Sequence, residues 1–120
     1  MPGEARLTRQ ARLLNPREFR RVFEQAQRSS DALFTVLARA SGLSEARLGL
    51  AISRKAARRA VDRNRIKRQA RESFRHRQPE LVGLDFVVMA KGGAVSVSNR
   101  ELRKSLERHW RRLTTRCARS

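Results

Sequence analysis

The residues of this sequence best suited to chemistry are its cations, which are concentrated between residues 54 and 77. That segment holds 11 Lys and Arg residues but only two carboxylates, Asp62 and Glu72. A solvated helix face usually mixes charges of opposite sign at neighbouring positions, because like charges repel one another. Arginine and lysine side chains also bind phosphate groups strongly. The segment therefore predicts a surface that binds a polyanion rather than a merely solvated face.

On a helical wheel, most cations of this segment fall on one side. An arc of about 100° holds Arg58, Arg65, Arg68 and Arg75, with Arg71 and Asn64 just beyond it. The arc is opposite Ile66 and Ala70, so we expect it to face away from the core. Arg63 and Lys67 lie beside these apolar positions, where their stems are expected to cover the edge of the apolar face.

Side chains that could catalyse hydrolysis are sparse and scattered. Hydrolysis of a phosphodiester by a protein usually needs clustered carboxylates that hold a metal ion, or a pair of histidines that transfer protons. The 11 carboxylates show no metal-ligand spacing, and the two histidines are far apart in the sequence. We expect His76 on the surface and His109 in the core. The sequence thus predicts no catalytic residue and no metal site on this chain.

Length and composition restrict the class of protein. The 120 residues predict a single domain over residues 1–120. With 29 Lys and Arg against 11 Asp and Glu, the formal net charge is +18, which favours a nucleic-acid partner. No apolar run is long enough to span a membrane, and the N-terminus lacks the apolar stretch of a signal peptide. Because the single cysteine, Cys117, cannot form an internal disulfide, we expect a reducing, cytoplasmic location and no membrane association.

Apolar periodicity predicts the order helix, strand, strand, helix, strand, helix. Asn15 and Pro16 are typical of a helix start, and apolar residues then recur at helical spacing until residues 29–31 break the pattern. Strands are predicted over residues 33–39, 47–53 and 84–90, and later helices over residues 56–78 and from Ser98 and Asn99 onward. This order predicts an α/β layer fold in which one small sheet is covered by helices.

A basic helix alone does not identify the nucleic acid. DNA readers that place a helix in the major groove carry it within a helix-turn-helix, a zinc module or a leucine zipper, and none of these patterns is readable here. A basic helix supported by a sheet is better suited to a folded RNA, which proteins recognise through phosphates and shape. We therefore expect an RNA partner and no DNA.

Four motifs, in order along the chain, resemble the protein component of bacterial ribonuclease P. Residues 63–68, Arg-Asn-Arg-Ile-Lys-Arg, resemble the RNR signature of that family. Residues 19–23 resemble its Phe-x-x-Val-Phe pattern, residues 47–50 and 53–55 its preceding strand and basic exit, and residues 85–91 its last strand. An isolated RNR is a weak signal, whereas four matches between about residues 13 and 113 are specific.

The resemblance implies an α/β (α+β) two-layer sandwich, with a small, mostly antiparallel sheet of about four strands, three helices and a left-handed β-α-β crossover. It places the ordered core at about residues 13–113 and leaves open whether the basic termini are ordered. It also implies a protein subunit of an endoribonuclease that removes the 5′ leader of precursor tRNA. The RNA subunit would carry out the hydrolysis and bind most of the Mg²⁺, so the implied partners are ribonuclease P RNA and precursor tRNA.

Two RNA-binding surfaces follow from the resemblance. The face that meets ribonuclease P RNA would comprise Arg54, Lys55, Arg58, Arg63, Asn64, Arg65, Lys67, Arg68, Arg71 and Arg75. A cleft between the first helix and the sheet would take the single-stranded leader, with Phe19, Phe23, Leu37 and Lys91. Spacing alone favours a core role for the two phenylalanines, whereas the resemblance favours at least one that faces RNA. Leu37 stands where some members have an aromatic residue, which would weaken base stacking.

Composition alone leaves a second class open. Small basic ribosomal or ribosome-assembly proteins, which have no processing activity, also carry large positive charges. A pull-down separates the two classes, because a processing subunit should enrich one large structured RNA rather than ribosomes.

Overall fold

A computed structural model describes residues 15–119, in which three helices and four strands are joined by short connections. The helices are α1 (Pro16–Gln25), α2 (Ala60–Arg77) and α3 (Asn99–Arg119), and the strands are β1 (Gln27–Ser30), β2 (Phe34–Ala40), β3 (Arg47–Ala51) and β4 (Leu84–Ala90). Short 3₁₀ segments cover Gln78–Leu81 and Gly92–Ser96. The expected start of the ordered core at residue 13, and the question of order at Arg6, Arg9 and Arg12, lie outside the described residues.

The four strands form one mixed sheet in the order β1-β2-β4-β3. The β1–β2 and β2–β4 pairs are antiparallel, whereas β3 and β4 are parallel. Parallel neighbours need a crossover connection, and α2 provides it. The α/β fold with about four strands and three helices is thereby confirmed, while the hand of the crossover stays a prediction.

Alternation along the central strands divides the apolar side chains between the two faces of the sheet. One face carries the main core, where Phe34, Val36 and Phe86 pack with residues of α2 and α3. On the other face, Leu37 and Val87 pack with Val22 of α1 in a small separate cluster. The helix α1 and the helix pair α2–α3 thus lie on opposite sides of the sheet.

The predicted helix starts are confirmed at both ends of the described chain. Asn15 caps α1, because its Oδ1 accepts a hydrogen bond of 3.0 Å from the backbone N–H of Glu18. Ser98 does the same for α3, since its Oγ accepts a bond of 3.2 Å from the N–H of Glu101.

The strand β1 was not predicted, because its residues follow α1 as a break in the apolar pattern. This strand reads Gln-Arg-Ser-Ser and has no apolar alternation that could reveal it. Its backbone pairs with β2, and its hydroxyls find partners: Ser29 Oγ lies 2.7 Å from His109 Nδ1, and Ser30 Oγ lies 3.0 Å from Thr35 Oγ1. A polar strand at the edge of a sheet is held by such bonds rather than by apolar burial.

The predicted start of the basic helix at residue 56 was wrong, since α2 begins at Ala60. A turn capped by Ser53 comes first: its Oγ accepts from the N–H of Ala56 at 3.1 Å, and its carbonyl accepts from the N–H of Ala57 at 3.0 Å. Ala57 is buried in the core by this turn, whereas Ala60 is exposed. Helical spacing placed Ala56 and Ala60 on the apolar face, but the capped turn buries Ala57 instead.

Candidate nucleic-acid interface

The predicted RNA-binding cations lie in two adjoining places rather than on one helix face. Arg54, Lys55 and Arg58 are exposed in the connection before α2. On α2 itself, Asn64, Arg68 and Arg71 are exposed, whereas Arg63, Arg65, Lys67 and Arg75 are partly buried. The structure thus brings the predicted set together along α2 and the connection before it, but not as one uniformly exposed stripe.

Arg63 binds the connection that precedes its own helix. Its Nη1 donates to the carbonyl oxygens of Ala57 and Arg58 at 2.9 and 2.8 Å. The side chain therefore lies along the edge of the apolar face, as predicted, and it holds the segment that carries Arg58.

Arg65 is partly buried, because its side chain extends to the neighbouring helix rather than into solvent. Its Nη1 donates to Asn99 Oδ1 at 2.8 Å, and its Nη2 donates to the carbonyl of Val95 at 3.1 Å. These partners belong to the start of α3 and to the 3₁₀ segment before it. A helical wheel of α2 could not indicate this, because it contains no information about the neighbouring helix. Arg75 is also partly enclosed, and its Nε is buried without a hydrogen-bond partner in the described chain.

Ion pairs join α2 to α3 along the rest of their length. Arg77 binds Glu107 of α3 and also Glu80, at 2.9 Å. The hydrogen bond to Glu107 raises the pKa of the Arg77 guanidinium above its ordinary value. In the other direction, Arg103 of α3 donates to Gln69 Oε1 at 2.6 Å and pairs with Glu72. The two helices therefore form one unit, so their exposed charges belong to a common surface.

A groove lies on the opposite face of the sheet, between the C-terminal half of α1 and the strands. It has a volume of about 380 Å³ and is lined by Phe23, Ala26, Arg28, Thr35, Leu37, Met89 and Ala90. The predicted residues Phe23 and Leu37 are brought together there. Phe23 is 50% exposed although it is a large apolar side chain, while Leu37 forms part of the floor. Phe19 packs on the cluster around Val22 and is partly buried.

The cation of this groove is Arg28, not the predicted Lys91. Lys91 is exposed after the end of β4, where its Nζ donates to the carbonyl of Asp31 at 2.7 Å, and it does not line the groove. Arg28 faces Leu37 across the β1–β2 register and therefore lies on the groove side of the sheet. Arg28 was not predicted as a groove residue, because it lies on β1 and no apolar periodicity marks that strand.

An ion-pair network fixes the start of α1 to the sheet. Arg47 of β3 donates from Nε and Nη2 to the two carboxylate oxygens of Asp85, both at 2.8 Å, and from Nη1 to Glu18 at 2.5 Å. Asp85 is 1% exposed. The hydrogen bonds to Asp85 raise the pKa of the Arg47 guanidinium. The network sets the position of α1, and thus of the groove wall that α1 forms.

A second polar cluster ties α3 to the edge of the sheet. Asp31 accepts bonds from the N–H groups of Leu33 and Phe34 at Oδ1, and from Ser105 Oγ at Oδ2, at 2.6 Å. Although burial opposes it, these bonds hold the pKa of Asp31 below its ordinary value. His109 is fully buried, as predicted, with Nε2 at 3.2 Å from Asp31 Oδ2 but not in hydrogen-bond geometry. Burial lowers the pKa of His109, so the imidazole is neutral at pH 7.

Within residues 15–119, no group of three His, Cys, Asp or Glu side chains is arranged to hold a metal ion. None of the helices in that range contains an apolar stretch that could span a lipid bilayer.

A mixed sheet with a cationic helix pair on one face and an apolar, arginine-edged groove on the other defines an RNA-binding protein of the α/β class. The sequence model of the ribonuclease P family matches residues 7–114. The chain belongs to this family, and its function is that of the protein subunit of the tRNA-processing ribonucleoprotein. The ribosomal alternative is not favoured.

Similar proteins agree in sequence and in fold. The ribonuclease P protein component of Methylococcus capsulatus is 56% identical over 119 residues, which cover 98% of this chain and 93% of that protein. That of Thioalkalivibrio sulfidiphilus is 50% identical, with 92% of each chain covered. The structure of the RNase P protein from Thermotoga maritima matches with a TM-score of 0.74 at 30% identity, covering 84% of this chain and 96% of that one. Family membership implies a part in endoribonucleolytic tRNA processing and a partnership with ribonuclease P RNA.

Proposed function

We propose that this chain binds ribonuclease P RNA through the surface around α2 and the 5′ leader of precursor tRNA through the groove beside α1. The substrate is the precursor tRNA, the RNA subunit hydrolyses the phosphodiester bond, and the chain increases affinity for the leader-bearing substrate. The cytoplasm is the proposed location.

The exposure of Phe23 is the observation that carries this proposal. A phenylalanine that is half exposed beside a partly open groove offers a face on which a base can stack, and such stacking contributes about 1–3 kcal/mol per base. Arg28 lies in the same groove and can bind the backbone phosphate of the stacked nucleotide. Leu37 and Met89 provide an apolar floor. An aromatic side chain with a neighbouring cation can bind a single RNA strand, and the 5′ leader is single-stranded.

The opposite placement of the two surfaces also supports the division of roles. The groove lies on the α1 face of the sheet, and the cations of α2 lie on the other side. A protein of this size can thus touch two RNA segments at once without competition between them. Mg²⁺ is proposed as an ion held by the RNA, and the side chains of residues 15–119 are given no part in holding it.

Reconstitution with the cognate RNA tests the proposal. At low Mg²⁺, addition of the chain should accelerate removal of the leader from precursor tRNA, and the chain alone should cleave nothing. An absence of acceleration would contradict the proposed role. RNA cleavage that copurifies with the chain alone would contradict the assignment of hydrolysis to the RNA subunit.

A further inference from the structure

The outer face of α3 carries a row of cations that the functions described so far do not use. Arg100, Lys104, Arg108 and Arg111 are all exposed. At 100° per residue they fall within an arc of about 80°, opposite the buried residues of the same helix. Together with Asn99, Arg103 and Glu107 they line a shallow groove of about 670 Å³. We name these four cations the α3 row.

The α3 row is not neutralised by the protein itself. Within the described part of the chain, the side chains of Arg100, Lys104 and Arg111 have no hydrogen-bond or ion-pair partner, and that of Arg108 makes one long contact of 3.3 Å with Asp31. Glu107, which lines the same groove, is already bound by Arg77 of α2. Arg100 also lies in the first turn of α3, where the helix dipole disfavours a cation. An uncompensated row in that position indicates an external anion.

The chemistry of the row favours the phosphate backbone of a folded RNA over a single strand. Single-stranded nucleic acids are bound by aromatic side chains that stack on bases. The aromatic residues of α3 are unavailable for this, because Trp110 is 2% exposed and His109 is fully buried. Arg100 and Arg111 are 11 residues apart, which places them about 16 Å apart along a helix. A straight cationic row without stacking groups fits the regularly spaced phosphates of an RNA helix.

The position of the row indicates which RNA it meets. Arg65 binds Asn99 at 2.8 Å, and Arg103 binds Gln69 at 2.6 Å, so the row adjoins the cations of α2 across a fixed contact. The groove beside α1, which is proposed to bind the leader, lies on the other face of the sheet. We propose that the α3 row is a second docking surface for ribonuclease P RNA, which extends the α2 surface to a neighbouring helical segment of the same RNA. This inference rests on the proposed binding of that RNA through α2.

The test compares two double variants that remove the same charge. R100Q/R111Q removes both ends of the row, and R17Q/R21Q removes two exposed arginines of α1, one of them also in the first turn of its helix. Binding of ribonuclease P RNA alone is measured as a function of salt. R100Q/R111Q should weaken binding at least roughly tenfold at about 0.1 M salt and make the log–log salt slope shallower by roughly 1.4 to 1.8. R17Q/R21Q should change both the affinity and the salt slope much less.

The outcomes separate this inference from the proposed function. If the wild-type chain binds the RNA but the two double variants lose the same affinity and slope, the row acts only through net charge and the inference is overturned. If R100Q/R111Q bound the RNA as the wild type does, the inference would also be overturned. An acidic protein surface would then be the better candidate partner for the α3 row. A wild-type chain that does not bind ribonuclease P RNA would contradict the proposed function instead. R100K/R111K keeps the charges and should bind as the wild type does, and melting curves of all variants establish that each is folded.

Discussion

The guanidinium of Arg65 on α2 and the side-chain oxygen of Asn99 on α3 are joined by a hydrogen bond of 2.8 Å. This bond, with the one to the carbonyl of Val95 at 3.1 Å, fixes the start of α3 beside the basic helix. The second arginine of the RNR signature therefore positions α3 in this chain, whereas its neighbours Asn64 and Arg68 are exposed to solvent.

Replacement of Arg65 by alanine should lower stability as well as RNA binding. Loss of its hydrogen bonds at a partly buried site should cost about 1–2 kcal/mol of unfolding free energy. Arg68→Ala is the matched control, because Arg68 is exposed one turn further along α2. It should melt as the wild type does and still bind RNA less tightly. Thermal melts alongside RNA titrations measure both effects, and equal melting temperatures for the two variants would contradict the positioning role.

The two phenylalanines of α1 should respond differently to truncation. Phe23→Ala should leave the melting temperature almost unchanged, since half of the side chain is exposed, and should weaken binding of leader-bearing RNA by about 1–3 kcal/mol. Phe19→Ala removes contacts with the cluster around Val22 and should cost about 1–3 kcal/mol of stability, less than a fully buried phenylalanine. Precursors with and without a leader, titrated against both variants, give the comparison. If Phe23→Ala weakened binding of mature tRNA equally, the groove would not be specific for the leader.

Removal of Arg47 should be among the most destabilising single changes in this protein. Asp85 would remain buried and charged without its partner, which typically costs about 3–5 kcal/mol. The double variant Arg47→Ala with Asp85→Ala should be less destabilised than the sum of the two single variants, because it leaves no unpaired charge. Urea denaturation of the four proteins completes the cycle, and strict additivity would show that the pair is not coupled.

Acid should destabilise the fold through His109. Burial lowers the pKa of this imidazole below its ordinary value of 6.5, so the unfolded chain takes up a proton before the folded chain does. The contribution of the neutral imidazole to the free energy of unfolding is then fully present above pH 6.5, the ordinary pKa of histidine, and it declines as the pH falls below 6.5. The melting temperature of the wild type should fall between about pH 7.5 and about pH 5.5, and that of His109→Gln should fall less over the same range. Parallel slopes for the two proteins would exclude His109 as the group responsible.

Strong apolar patterns made most of the fold predictable. The strands β2 and β4 are apolar except at Thr35, Arg39 and Asp85, and both predicted ranges agree with the structure to within one residue. The cap at Asn15 located α1 because its side chain satisfies a backbone N–H that would otherwise lack a partner. These elements are determined by residues close together in the sequence, so their positions can be predicted from the sequence alone.

The candidate site was predictable in composition but less so in geometry. Concentration of cations in one segment was sufficient to locate the basic helix, whereas the direction of each side chain depends on α3, which packs beside it. Arg28 and β1 were not predicted for a related reason. A polar edge strand is specified by its pairing with the neighbouring strand and not by an apolar pattern of its own. The directions of the α2 side chains and the position of β1 both depend on contacts between segments that are distant in the sequence.

The parallel pairing of β3 with β4 has a consequence for the order in which the protein acquires its function. Arg47 and Asp85, which face each other in this pair, are 38 residues apart in the sequence, and all of α2 lies between them. A contact across such a distance forms slowly, because the intervening chain must close on itself first. On the ribosome, the basic helix therefore cannot dock on a finished sheet until β4 has left the exit tunnel. We expect a nascent chain that ends before Ala90 to attract RNA by charge alone, without the fixed arrangement of cations that distinguishes one RNA from another.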